Sequence, residues 1–291
     1  MTVGAHVPTR GSLMGAIDSA HACGAAAAQI WGSNPRAWAH PNVPEASVKA
    51  FRSAWAAASI GPLFLHAPYM VNIASPNDGF RQRSVDLARA TVELAEGSGA
   101  AGIVVHAGAA GAGTARATGL RRAAGSLLAI AGEADRTIVL VELTAGTAGA
   151  VASTLPEARE LLDAAEGEER IRLCIDTCHL FAAGYPLDEP DGVAASFAEL
   201  RSTGLEERLG LVHANDSAFP RGQRRDGHTH IGAGHIGEAG FAAILAQPPV
   251  RGVPVVCETP GRLEDAARNI ETLRRLADGS RRRPVRRTTA C

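Results

Sequence analysis

The stretch SVDLARATVELAEGSGAAGIVVHAG (residues 84–108) holds two patterns in succession. Over Ser84–Gly97, Val85, Leu87, Val92 and Leu94 recur at helical spacing. Ile103–His106 is then a short apolar run that stops on an imidazole, as a fully buried strand would. Outward along the chain the pattern repeats. The pattern predicts strands over Val3–Val7, Ala27–Trp31, Leu63–His66, Ile103–His106, Ile138–Glu142, Leu173–Asp176, Leu209–His213 and Val253–Glu258. Longer segments separate them, and Arg262–Ala277, with Leu263, Ala266, Ile270 and Leu273, is again helical in spacing. Strands alternating with helices imply a parallel sheet with right-handed crossovers. Eight such units predict a closed (β/α)8 TIM barrel, an α/β fold in a single domain over residues 1–278; an open doubly wound sheet is the alternative.

The length of 291 residues suits one such barrel, which typically takes about 250. Hydrophobic residues make up 46% and aromatics only 4%, so the core is built from small and aliphatic side chains. The net charge of -1 gives no bulk support to a nucleic-acid partner, leaving local patches to provide it. Residues 279–291, GSRRRPVRRTTAC, form a basic tail without apolar periodicity, expected to be disordered: a solvated terminus or a phosphate-binding arm. The five cysteines, Cys23, Cys174, Cys178, Cys257 and Cys291, show no Cys-x-x-Cys pair and no disulfide framework. MTVGAHVPTRG is no signal peptide, and no apolar run approaches the ~20 residues of a membrane span, so a soluble, cytoplasmic protein without a membrane partner is expected.

Six of the eight strands end on a potential ligand: His66 in LFLHAPY, His106 in GIVVHAG, Glu142 in IVLVELTAG, Asp176 in RLCIDTCH, His213 in LGLVHAND and Glu258 in VVCETP. A parallel barrel gathers all strand C-termini on one face, where active sites form. Each residue alone reads as a polar strand cap. Six together, with several carboxylates among them, require neutralisation by cations. His179, three residues after Asp176, and the Asp226-x-His228 pair add to the set. Alternate residues of an extended segment face one way, so Asp226 and His228 can share an ion. Five histidines and four carboxylates suit zinc, with manganese or iron possible, in a cluster of two or three ions sharing a bridging carboxylate.

These residues carry a resemblance to the endonuclease IV family of zinc-dependent abasic-site endonucleases. It runs from GAHV near Val3–Val7 to ETP at Glu258; its most specific motifs are CIDTCHLFAAGY (Cys174–Tyr185), HAND at His213 and HIGAGHIG at His230. The resemblance implies three Zn2+ ions per chain. His66 and His106 would hold the first, and Glu142 would bridge it to the second. Asp176, His213 and Glu258 would complete the second, while His179, Asp226 and His228 would hold the third. Glu142 and Glu258 would be catalytic.

The implied reaction is DNA repair: hydrolysis 5′ to abasic sites in duplex DNA by a metal-bound hydroxide, leaving a 3′-hydroxyl and a 5′-deoxyribose phosphate. Tyr69 and Met70, directly after the ligand His66 and Pro68, would wedge into the duplex at the lesion, and Arg36 in SNPRAW would enter the base stack. A monomer is expected. Gly227 stands where the family frequently has a basic residue and Ala233 where it usually has Glu; His6, His21, His40, His230 and His235 receive no ligand role. The competing readings are a metal-dependent sugar isomerase or epimerase of the xylose-isomerase-like barrels, which needs fewer histidines, and a non-catalytic lesion-binding protein, which needs no complete ligand set.

Overall fold

A computed structural model describes residues 1–281. Eight parallel strands close a barrel in chain order: β1 (Val3–His6), β2 (Ala28–Trp31), β3 (Leu63–His66), β4 (Gly102–His106), β5 (Ile138–Glu142), β6 (Ile171–Asp176) and β7 (Leu209–His213). After the small β8 (Asp216–Ser217) and β9 (His228–Thr229), β10 (Val255–Cys257) pairs with both β7 and β1. The closed-barrel expectation therefore holds, and the open sheet is excluded. The last strand is shorter than Val253–Glu258 because Pro254 has no N–H for the ladder and only accepts, from Val212 N.

The helices cover the barrel: α1 (Met14–Ala22), α2 (Glu45–Ala57), α3 (Asp78–Ser98), α4 (Arg116–Ala131), α5 (Leu155–Ala164), α6 (Thr177–Ala183), α7 (Pro190–Ser202), α8 (Gly237–Ala246), α9 (Pro248–Arg251) and α10 (Leu263–Arg281). Residues 84–97 lie within α3 as the spacing predicted. Arg262 sits just outside α10, its N–H donated to Asp265. The same helix carries the first residues of the 279–291 segment to Arg281; the remainder of that segment lies outside the described residues. Among the described residues no helix is long and apolar enough to cross a membrane, and the four described cysteines are free and buried.

Alternation along each strand makes two cores. One set of side chains packs under the helices in a large cluster that includes Val139, Val141, Leu127 and Ile130. The other set fills the barrel interior: Ala27, Phe64, Val104, Leu140, Cys174, Leu211 and Val256. β1 joins this ring through Gly4, where a Cβ would lie 1.7 Å from the Ala27 carbonyl oxygen, so only glycine permits the approach. Six of the interior residues are followed, two positions later, by a predicted ligand: Phe64 by His66, Val104 by His106, Leu140 by Glu142, Cys174 by Asp176, Leu211 by His213, and Val256 by Glu258. A period of two keeps both on the inner face, so the ligands stand on the core at the mouth.

Candidate metal centre at the barrel mouth

Glu142, at the end of β5, is the middle of the arrangement and is fully buried. Its two oxygens face different partners. Oε2 lies 3.1 Å from His66 Nε2 and 3.2 Å from His106 Nε2. Oε1 lies 3.1 Å from His213 Nδ1 and 3.3 Å from His179 Nδ1. Glu258 Oε2 approaches His213 Nδ1 from the other side at 3.2 Å.

Asp176 and His179 are placed by one local device. β6 runs directly into α6, where Asp176 is the N-cap and its Oδ1 accepts from His179 N at 2.9 Å. The opposite oxygen accepts from Asn215 Nδ2 at 2.7 Å and lies 3.4 Å from His228 Nε2. Asp226 and His228 come over the mouth on the β8–β9 hairpin, which the sequence reading treated as an extended segment. There His179 Nε2 is 3.4 Å and His228 Nε2 3.2 Å from Asp226.

The donor atoms thus fall into compact groups, each with ligand atoms within 4.8 Å of one another: His66–His106–Glu142, Glu142–Asp176–His213–Glu258, and His179–Asp226–His228. All nine predicted residues are brought together. A further group, Asp176–Cys178–His228, includes a residue the sequence reading left out. Burial pushes the Cys178 thiol up to about 12, so His179 and Asp226 are the less costly partners for His228.

The chemistry of these donors fits cations. Among the described residues no Arg or Lys pairs with Glu142, Asp176, Asp226 or Glu258; their ionic partners are all histidines. Burial would raise the Glu142 carboxyl, but the imidazoles of His213, His106 and His179 outweigh it and hold the group well below the usual carboxylate range. Glu258 is likewise held low against its burial, by His213 and His6.

Ring tautomers point the same way. His66 Nδ1 is 2.7 Å from the Ala67 carbonyl, His179 Nδ1 2.9 Å from the Leu143 carbonyl and His228 Nδ1 3.3 Å from the Glu258 carbonyl. A carbonyl only accepts, so each Nδ1 carries a proton, and Nε2, on the carboxylate side, is the nitrogen a cation would take. His228 Nε2 is buried there without a hydrogen-bond partner, as a ligand nitrogen awaiting a cation would be.

The mouth opens into a cavity of about 450 Å³ walled by Trp31, Tyr69, Thr259 and Pro260 together with the ligand residues. Among the described residues Tyr69 is one of two exposed large hydrophobic side chains, at 62% exposure, with its ring 4.6 Å from Trp31. Met70 is half-buried. Exposed Arg36 is held beside them, because Tyr69 N donates to Pro35 O and Arg36 N to Asn34 Oδ1. Gly227 is explained by Phe219, whose ring would meet a Cβ at 2.5 Å; the Arg225 guanidinium lies 3.8 Å above that same ring, so positive charge stands next to the position where it was missed.

Three residues at the mouth escaped the sequence reading. His6 and Gln29 reach it by the same two-residue step, from Gly4 and Ala27. Asn215 is fully buried, donating to Asp176 and accepting from Glu258 N at 2.7 Å. Counting two residues beyond every interior position would have found the first two; Asn215, in HAND, carries no signal of its own.

A profile described as xylose isomerase-like TIM barrel matches residues 17–276. A probable endonuclease 4 of Streptomyces coelicolor is 38% identical over 281 residues, 95% of each chain. Endonuclease IV from Thermus thermophilus superposes with a TM-score of 0.84 at 31% identity, over 96% of this chain and 100% of that one. A D-tagatose 3-epimerase-like protein superposes at 0.75 with 20% identity, over 97% and 98% of the two chains, a likeness of fold alone.

Proposed function

The chain belongs to the endonuclease IV family, and on that premise we propose that it is a DNA-repair endonuclease that hydrolyses the phosphodiester 5′ to abasic sites in duplex DNA, leaving a 3′-hydroxyl and a 5′-deoxyribose phosphate. The observation that carries this reading is Glu142, whose two oxygens face two separate ligand groups, as a bridging carboxylate must. Three zinc ions are assigned: His66, His106 and Glu142 to the first; Glu142, Asp176, His213 and Glu258 to the second; His179, Asp226 and His228 to the third. Such ions, when bound, acidify coordinated water at neutral pH and neutralise phosphate and leaving-group oxygens.

The chain's own residues do the rest. Glu142 and Glu258 fix the spacing of the groups from the rigid ends of β5 and β10. Tyr69 and Met70 offer an apolar wedge at the rim, and Arg36 offers a cation where the duplex would enter. Loss of stacking at an abasic site lowers the cost of turning the nucleotide into the cavity. All ligands come from one chain, so a monomer suffices, acting in the cytoplasm where its DNA would be.

The same fold carries sugar epimerases, but one or two ions would leave part of the nine-residue set without a task. Elemental analysis of protein prepared without chelator, beside cleavage of an abasic duplex, tests the proposal. About three ions per chain and cleavage are expected, with cleavage abolished and duplex binding largely kept in Glu258→Gln. One ion and no cleavage would overturn it in favour of the isomerase.

A further inference from the structure

Outside the barrel, α3 and α4 flank a groove of about 550 Å³. Arg81 and Arg89 line it from α3; Thr118, Arg121, Arg122 and Gly125 line it from α4, and none of its lining residues is acidic. In a chain of net charge -1, four guanidiniums in one groove are a concentration the composition does not suggest. Two are already neutralised, Arg81 by Asp78 at 2.7 Å and Arg89 by Glu133. The other two have no carboxylate partner among the described residues: Arg121 donates to Thr118 Oγ1 at 3.3 Å, and Arg122 Nη1 is buried without any hydrogen-bond partner. A buried guanidinium N–H left unmatched is costly, and a guanidinium fork that no carboxylate of the groove takes is matched bidentately by a phosphate.

We propose that the groove between α3 and α4 is a phosphate-binding site, served chiefly by Arg121 and Arg122 and separate from the metal centre. Helices of a barrel run antiparallel to its strands, so Arg81 and Thr118, near the helix N-termini, lie toward the mouth, on the side of β3 and β4. Arg81 is bonded to Ser75 O at 2.9 Å, in the segment that leads on from Tyr69 and Met70. A phosphate there is either part of a duplex extending past the mouth or a free phosphorylated molecule. The site goes beyond the nuclease reading and does not require it.

Protein labelled with 15N-arginine tests it in the metal-loaded form. The Nε–H signals of Arg121 and Arg122, assigned by their loss in Arg121→Lys and Arg122→Lys, should move on titration with inorganic phosphate and stay still in chloride of equal ionic strength. Undamaged duplexes then separate the sources. If a long duplex moves the same signals and a short one does not, the ligand is flanking DNA. The double variant Arg121→Gln/Arg122→Gln should then lower the salt dependence of long-duplex binding by about 2 in log–log slope, while cleavage of short abasic duplex is unchanged. If phosphate alone moves them, the ligand is a free phosphorylated molecule. Gly125→Glu, whose Cβ would meet nothing within 4 Å, should fold and abolish the response by placing a carboxylate in the groove. Signals that ignore phosphate and both duplexes overturn the proposal, whatever the nuclease assay shows.

Discussion

Gln29 Oε1 lies 2.9 Å from His213 Nε2, so the amide accepts that ring proton and leaves Nδ1, toward Glu142 and Glu258, as the nitrogen a cation would take. The amide nitrogen of Gln29 donates to Glu258 Oε1 and contacts His6 Nδ1 at 3.0 Å. One buried side chain thereby orients two ligands of the middle group. Gln29→Leu, similar in volume but without polar atoms, should weaken that group's hold on metal about 10–100-fold. Competition with a graded series of chelators reads this directly; retention equal to the parent protein would show that packing alone orients His213.

His179 and His228 should behave as parts of one device. Each alone, changed to Ala, should lose the same single ion while the other two stay, and cleavage should fall by several orders of magnitude. The double variant should be little worse than either single one. Metal content and single-turnover rates decide this: different ion losses, or rate losses that multiply, would mean that the two imidazoles do not share a metal.

Tyr69→Ala should reduce the preference for abasic over intact duplex more than it reduces the cleavage step. The ring is exposed at the rim, tilted against Trp31 and not among the grouped donors. Relative affinity for the two duplexes is the measurement, and an unchanged ratio would assign Tyr69 to local packing.

Glu96 provides a pH test remote from the mouth. Burial alone would raise its carboxyl, but three backbone N–H groups, of Asp135, Arg136 and Thr137, donate to Oε1 at 2.8–2.9 Å and bring it down to about 2. A carboxyl lowered on folding stabilises the protein above its ordinary value of 4.5, and that stability is lost as pH falls from there toward about 2. After discounting for solvent screening, the contribution at neutral pH is on the order of 1 kcal/mol. Urea unfolding of Glu96→Gln against the parent should show the full deficit at pH 7, shrinking below pH 4.5. A deficit independent of pH would mean that the amide fails for steric reasons.

The barrel and its ligands were legible because both obey short-range rules. A buried strand is a short apolar run, and a mouth residue interrupts it with charge, as His106 and Glu142 do. Gln29 was missed because it lies within β2, two residues before the strand ends on Trp31, and a neutral amide there gives no ligand signal. Asn215 was missed because its role lies in contacts to Asp176 and Glu258, 39 and 43 residues away. The β8–β9 hairpin has two-residue strands, too short for any periodicity to register. The groove between α3 and α4 was invisible because its arginines are scattered over two helices and read singly as solvated surface.

The step of two residues from interior core to mouth recurs on strands spread from Phe64 to Val256. The middle group of Glu142, Asp176, His213 and Glu258 is therefore complete only when β10 pairs with β7. Until then the carboxylates are separate and hydrated; on closure they are packed together and need a cation at once. Ion uptake by the middle group and completion of the barrel should thus be coupled. A growing chain would gain the middle group only after β10 has been made, although His66, His106 and Glu142 are all in place far earlier.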